Sequence, residues 1–386
     1  MRSHGSMSRG LWGRWALVAV LAAAPALADP QALDLQEQRV SVPVTLKAMF
    51  EGQKTRDMFI TVFRPKGKGP FPLVVINHGR APSPMARAKP PYFRFEDAAR
   101  YFVRKGFVAV VPTRVGYGAT GQSFDPEDSG SDRGRDYHFL VTAAAAEVVA
   151  AIDYGRTLAG VDPTRILVVG QSVGGLTTVA TAALNPPGVV AAINFAGGSG
   201  GDPDRHPGIP SSAGQLEELY AAMGKQAHVP MLWIYTENDR YFDPRYSKAW
   251  AKAFAQAGGQ VEFRLLPAFK NNGHLLFAQG CDIWMPVVED YLVRAGFRQP
   301  GLVQRPRPTR FAPLEAVDQV PNLDAAGREG YRKFLQAAAP RAFALGADGH
   351  WGWSQGDNAM ARALGNAQRA DGEPPRLYAV DSDVVW

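Results

Sequence analysis

The chain has 386 residues, of which 42 are basic and 36 acidic, and 46% are apolar. That is enough to bury one large core and a smaller second unit. The formal charge of +6 falls to +3 once the three arginines of residues 1–28 are set aside, so charge gives no support to a nucleic-acid partner. A single cysteine, Cys281, excludes an intrachain disulfide framework and a cysteine-based metal site.

Residues 1–28 carry Arg2, Arg9 and Arg14, then an apolar run over 15–27 closing in Ala26-Leu27-Ala28. This is the three-part pattern of a secretory signal peptide with a small-residue cleavage site, and it predicts a periplasmic or secreted protein with no stable membrane insertion after cleavage. The run is short for a bilayer span, with an uncleaved anchor as the alternative, and no second hydrophobic stretch of spanning length is expected. Residues 40–50 and 58–63 then read as two antiparallel strands around a turn at 51–54. An apolar strand at 71–77 ends in His78-Gly79-Arg80, an amphipathic helix covers 95–105, and a second buried strand covers 107–112. This alternation predicts an α/β fold with a mostly parallel sheet covered by helices on both faces. The long Gly-rich loop 114–135 follows a strand end, where it would border a site.

An Ala-rich helix over 141–158 leads to the stretch Ile166-Leu167-Val168-Val169-Gly170-Gln171-Ser172-Val173-Gly174-Gly175. A buried strand that breaks into G-x-S-x-G and then a helix is the pattern of a nucleophile elbow, which exposes the serine hydroxyl at the strand's carboxyl end. It also sets the Val173 N–H at a helix start, where it can donate to an oxyanion. The next strand, 189–195, closes in Ala196-Gly197-Gly198-Ser199-Gly200-Gly201. Asp202-Pro203-Asp204, rather than a helix start, follows these glycines, so the run reads as a flexible pocket wall and not a phosphate cradle. A helix over 215–223, a strand over 230–235 ending near Asp239, a helix over 244–256, a strand over 261–266 ending near His274, and a helix over 282–295 complete the pattern.

A serine hydroxyl needs a base within reach, and the base needs an anchoring acceptor. Ser172, Asp239 and His274 each fall at a strand's carboxyl end, in the order Ser, Asp, His. Asp243 competes for the acid's place, whereas His138, His206, His228 and His350 have no matching strand-end position. The second oxyanion donor is expected at the Arg80 N–H, with Gly79 allowing close approach and His78 as scaffolding; the Arg80 charge is left between an anionic substrate group and solvent. This chemistry calls for no cofactor and no metal.

These residues resemble the α/β-hydrolase superfamily, in its dienelactone hydrolase-like and serine-esterase branch, over about residues 40–297. The resemblance is carried by His78-Gly79, Arg114-x-Gly116-Tyr117-Gly118, Asp162-Pro163-x-Arg165, Gly170-x-Ser172-x-Gly174-Gly175, Asp239 and Gly273-His274. It implies a hydrolase that cleaves a carboxylic ester, small or polymer-linked, through an acyl-serine. Dienelactone hydrolases proper carry a cysteine nucleophile, so Ser172 points instead to a carboxylesterase. The alternatives are a prolyl-oligopeptidase-like peptidase, which ordinarily carries a large N-terminal propeller that the roughly 40 residues before Phe71 are not expected to make, and a non-catalytic binding protein on the same scaffold.

Domain bounds are expected at 1–28 (signal), 29–298 (catalytic), 299–321 (Pro-rich linker) and 322–386 (a small α+β unit). The last of these resembles a small module found after such hydrolase domains, through Pro340-Arg341-Ala342-Phe343-Ala344, Gly349-His350-Trp351-Gly352-Trp353 and Leu377-Tyr378-Ala379-Val380. Trp351 and Trp353 read as core rather than as a sugar-stacking platform. With Trp386 they form the apolar surface expected to meet the catalytic domain.

Overall fold

The computed structural model describes residues 35–121, 123–131, 134–297, 303, 305–356, 359–369 and 373–386. The expected signal segment lies outside the described residues. In chain order the first unit contains β1 (Gln38–Ala48), β2 (Gly52–Phe63), β3 (Phe71–Asn77), α1 (Pro84–Arg87), α2 (Glu96–Arg104), β4 (Val108–Thr113) and α3 (Tyr137–Arg156). It continues with β5 (Val161–Gln171), α4 (Val173–Ala183), β6 (Val189–Phe195), α5 (Ala213–Gly224), β7 (Met231–Thr236), α6 (Pro244–Gln256), β8 (Val261–Leu266), α7 (Leu276–Gln279) and α8 (Cys281–Arg294).

Its eight strands lie in the order β1-β2-β4-β3-β5-β6-β7-β8. The β1–β2 and β2–β4 pairs are antiparallel, and every pair from β3–β4 onward is parallel. Side-chain alternation explains the layering. Val74, Ile76, Leu167, Val169, Ile193 and Ile234 face Phe102 of α2 and Trp284 of α8, while Leu73, Val75, Val110, Ile166 and Val168 face Val148 and Ile152 of α3. A strand buried on both faces has no polar side to show, so these strands read as continuous apolar runs. By length and composition α3 passes for a membrane span, which the sequence reading did not expect. Its Leu140, Val141, Val148 and Ile152 are instead spent on packing inside this layer.

The second unit contains α9 (Ala325–Gln336), β9 (Arg341–Leu345), β10 (Trp351–Gln355), α10 (Ala359–Ala367), β11 (Arg376–Val380) and β12 (Asp383–Val384). Its sheet has the order β10-β9-β11-β12 and is antiparallel throughout. Tyr331 and Phe334 of α9 cover one face through Phe343, Leu345 and Tyr378. Ala359, Ala363 and Ala367 of α10 cover the other through Ala342, Ala344 and Leu377. A bulge between Leu377 and Ala379 lets Tyr378 and Ala379 share one face. From Arg305 onward the Pro-rich stretch is tied to this sheet: Arg305 pairs with Asp381 and Asp383 at 2.5 and 2.7 Å, and the Thr309 N–H donates to Val384 at 2.8 Å.

Trp351 stacks on Phe343 with ring centroids 5.9 Å apart and planes within 4°, and Gly327 and Gly330 leave room for its indole. Together with Trp353 and Trp386 it packs against this unit's own core. The junction with the hydrolase unit is built from other residues. Tyr101, Lys105, Met285 and Glu289 line one side of a cavity of about 140 Å³ there, and Val303, Arg305, Arg341 and Met360 line the other. The expectation that the tryptophans make this contact is therefore wrong: they lie on the sheet face that α9 covers, within this unit's own core.

Candidate active site

Ser172 sits between β5 and α4 with φ 58° and ψ −126°. For a residue with a side chain this is a strained conformation, costing on the order of 1–3 kcal/mol, and such strain persists only where its surroundings enforce it. The enforcement is close packing. A methyl on Gly170 would strike the Gly174 carbonyl, and one on Gly174 would strike the carbonyls of Asn77 and His78 at the end of β3. The first turn of α4 therefore lies against the loop after β3. A methyl on Gly79 would stand 3.0 Å from Ser172 Cβ and 3.6 Å from its Oγ. Among the described residues, the backbone N–H groups of Val173 and Arg80 have no acceptor within the protein. Ser172 is half-buried, and among the described residues its hydroxyl has no hydrogen-bond partner.

Asp239 and His274 meet at the ends of β7 and β8. His274 Nδ1 lies 3.1 Å from Asp239 Oδ1 and 3.0 Å from Oδ2, with both side chains buried. Oδ1 also accepts the backbone N–H of Tyr241 (2.8 Å) and of Phe242 (3.0 Å). An oxygen ringed by N–H donors can only accept, so Nδ1 carries the imidazole proton and Nε2 is left with its lone pair. The two loops are stitched together by asparagines: Asn238 Oδ1 accepts the Phe269 N–H at 2.9 Å, and Asn272 Oδ1 accepts the N–H of Arg240 and of His274 at 3.1 Å each. Gln171, the residue before Ser172, donates to the His274 carbonyl at 2.6 Å and ties the histidine loop to the elbow. Asp243 does something else. It caps α6 by accepting the Arg245 N–H at 2.9 Å, and its side chain is half exposed.

The Arg80 side chain follows neither path left open by the sequence. Its guanidinium is held by both oxygens of Asp125 at 3.0 and 2.6 Å and donates to Tyr117 Oη at 3.2 Å. Arg87 takes the same carboxylate at 2.8 Å. Beneath them the fully buried Arg114 pairs with Glu127 at 2.5 Å and donates to the His78 carbonyl at 2.8 Å, while Tyr117 Oη donates to Glu127 at 2.6 Å. His78 Nε2 accepts the Arg114 N–H at 3.1 Å, so its Nδ1 donates to the Gly79 carbonyl at 2.8 Å. Burial, and then the Arg114 charge, hold the His78 pKa well below the usual histidine value, and the ring is neutral scaffolding. The loop after β4 thus fixes the 78–80 turn through charges that sequence reasoning did not find. Asp125 and Glu127 lie in a stretch with no periodic pattern.

A serine on an elbow, a histidine oriented by a buried aspartate, and two free N–H groups beside the serine can together support nucleophilic acyl transfer. On this sheet they define a protein of the α/β-hydrolase class. Within that class the chain belongs to the dienelactone hydrolase family, whose profile matches residues 91–284. A search of curated protein sequences returned no match. Among solved structures it is similar to a putative dienelactone hydrolase from Klebsiella pneumoniae, with 16% identity over 67% of this chain and 99% of that one and a TM-score of 0.44. An esterase from Pyrococcus furiosus has 13% identity over 70% and 95%, with a TM-score of 0.45. An acetyl xylan esterase from Paenibacillus sp. R4 has 19% identity over 67% and 87%, with a TM-score of 0.44.

Proposed function

We propose that the protein is an exported serine hydrolase that cleaves a carboxylic ester through an acyl-Ser172 intermediate. The observation that carries this reading is the Asp239–His274 pair, which leaves Nε2 as the acceptor and is hydrogen-bonded through Gln171 to the elbow. In the reaction, Ser172 Oγ attacks the ester carbonyl carbon as its proton passes to His274 Nε2. The resulting oxyanion takes hydrogen bonds from the Val173 and Arg80 N–H groups. Collapse of the tetrahedral species breaks the bond to the alcohol oxygen, which leaves with the proton from Nε2. Water then attacks the acyl carbon and gives a proton to Nε2. Release of the acid returns that proton to Ser172 Oγ. Asp239 keeps its charge throughout and stabilises the imidazolium. Export rests on the signal pattern of residues 1–28.

The kinetic test is a mutant cycle. Ser172→Ala and His274→Ala are each expected to lower kcat by up to about 10⁶-fold, and the double variant to fall no further, because groups that act as one unit are not additive. Independent losses that multiply in the double variant would contradict the assignment.

A further inference from the structure

The glycine run after β6 reads from sequence as a flexible wall, yet Gly197, Gly198 and Ser199 are buried, and what they pack against gives them a different role. A methyl on Gly198 would stand 2.8 Å from the Phe242 ring, and one on Gly201 would stand 2.9 Å from Cβ and Cδ1 of Tyr241. Both rings border His274. Tyr241 lies over the imidazole with centroids 4.1 Å apart and planes within 24°, and Phe242 meets it edge-on at 5.3 Å and 74°. The N–H groups of the same two residues hold Asp239 Oδ1. One dipeptide therefore fixes the acid through its backbone and encloses the base between its rings. The glycines are the small residues that let the neighbouring wall close on those rings.

We infer that Tyr241 is a positioning residue for the hydrolytic reaction, its ring face holding the plane of His274 and favouring the imidazolium that forms as Ser172 gives up its proton. This rests on the reading of Ser172, Asp239 and His274 given above. The face of an aromatic ring is the negative end of its quadrupole and attracts a cation within about 6 Å, but does little for a neutral imidazole. The benefit therefore appears when the proton has moved, and it belongs to kcat rather than to substrate binding. The hydroxyl has no part in the effect. Tyr241 is half-buried at the edge of the cluster formed by Phe242 and Trp250, so folding of the variants is checked alongside their rates.

The test compares wild type, Tyr241→Phe, Tyr241→Leu and Gly201→Ala on 4-nitrophenyl acetate, with folding followed by circular dichroism and Ser172→Ala as the blank. Tyr241→Phe should keep kcat within about two-fold. Tyr241→Leu should lose about 3- to 30-fold in kcat with KM nearly unchanged. Gly201→Ala, whose methyl displaces the Tyr241 ring, should lose kcat in the same sense. The rate of Ser172 phosphonylation by a fluorophosphonate should fall in the Leu variant by a similar factor, because it needs the same proton transfer. An active wild type matched by folded Tyr241→Leu and Gly201→Ala variants overturns the inference alone, as does a Phe variant as impaired as the Leu variant. A wild type that neither turns over ester nor takes the label overturns the hydrolase reading, and this inference with it.

Discussion

Replacing Asp239 with asparagine alters one atom, and the structure dictates where that atom goes. Oδ1 accepts two backbone N–H groups, from Tyr241 and Phe242, so the carbonyl oxygen of an asparagine must take that position. The amide nitrogen is then forced into the Oδ2 position, 3.0 Å from His274 Nδ1. Two donors would face each other there, with only the carbonyl oxygen at 3.1 Å, already shared by two N–H groups, left to accept from Nδ1, and the imidazole relieves the conflict by moving its proton to Nε2. The base then has no lone pair with which to take the Ser172 proton in the proposed reaction, and the expected loss in kcat is roughly 10⁴-fold, the size seen when a triad histidine is held in the wrong tautomer. Asp243→Asn is the matched control. Asparagine caps a helix about as well as aspartate, so stability should change by only a few tenths of a kcal/mol and turnover should stay within about two-fold. Hydrolysis of 4-nitrophenyl acetate, with thermal unfolding run in parallel, reads both effects. A crippled Asp243→Asn, or an Asp239→Asn variant within ten-fold of wild type, would refute the reasoning.

Two further outcomes are expected. Glu147 is fully buried, with Oε2 accepting the Val115 N–H at 2.6 Å and Oε1 without a hydrogen-bond partner among the described residues. Burial, and then the Glu127 charge, push its pKa well above 4.5. The unfolded chain releases this proton near 4.5 and the folded protein keeps it, so this group's contribution to stability falls as pH rises, by up to about 1.4 kcal/mol per pH unit, until the folded group also ionises. Glu147→Gln should flatten the fall in Tm as pH rises above about 4.5; an unchanged slope would count against Glu147 as its source. Ending the chain near Pro300 removes the second unit, whose junction is lined by Tyr101, Lys105, Met285 and Glu289 and contains no residue of the candidate site. Small-ester turnover should stay within a few-fold. Loss of turnover in a folded truncated chain, judged by circular dichroism, would mean that the second unit helps to build the site.

How much of this was legible from sequence follows from how local each signal is. The elbow is written in neighbouring positions, because Gly170 and Gly174 are small for the sake of backbone carbonyls next to them in space. The strand and helix pattern is equally local, since burial on both sheet faces imposes continuous apolar runs such as 71–77 and 166–169. Asp239 and Asp243 could not be separated so simply: both follow β7, and only the fold turns one toward His274 and leaves the other on a helix cap. The Arg80 partner was illegible because Asp125 is 45 positions away in an irregular loop. The glycine run was misread as flexible for the same reason, since the rings that close on Gly198 and Gly201 belong to a later loop. In the second unit the mixture of strands and helices was recognisable, but which face of the sheet each helix covers was not, and the cover by α9 turns the tryptophans inward.

The central claim is that Ser172 is the nucleophile. Treating the folded protein with a fluorophosphonate and mapping the modified peptide tests it most directly, because the reagent bonds to a serine whose proton a neighbouring base can take. The adduct should fall on Ser172 and disappear in His274→Ala. An adduct on another serine, or a folded wild-type protein that takes none, would contradict the account.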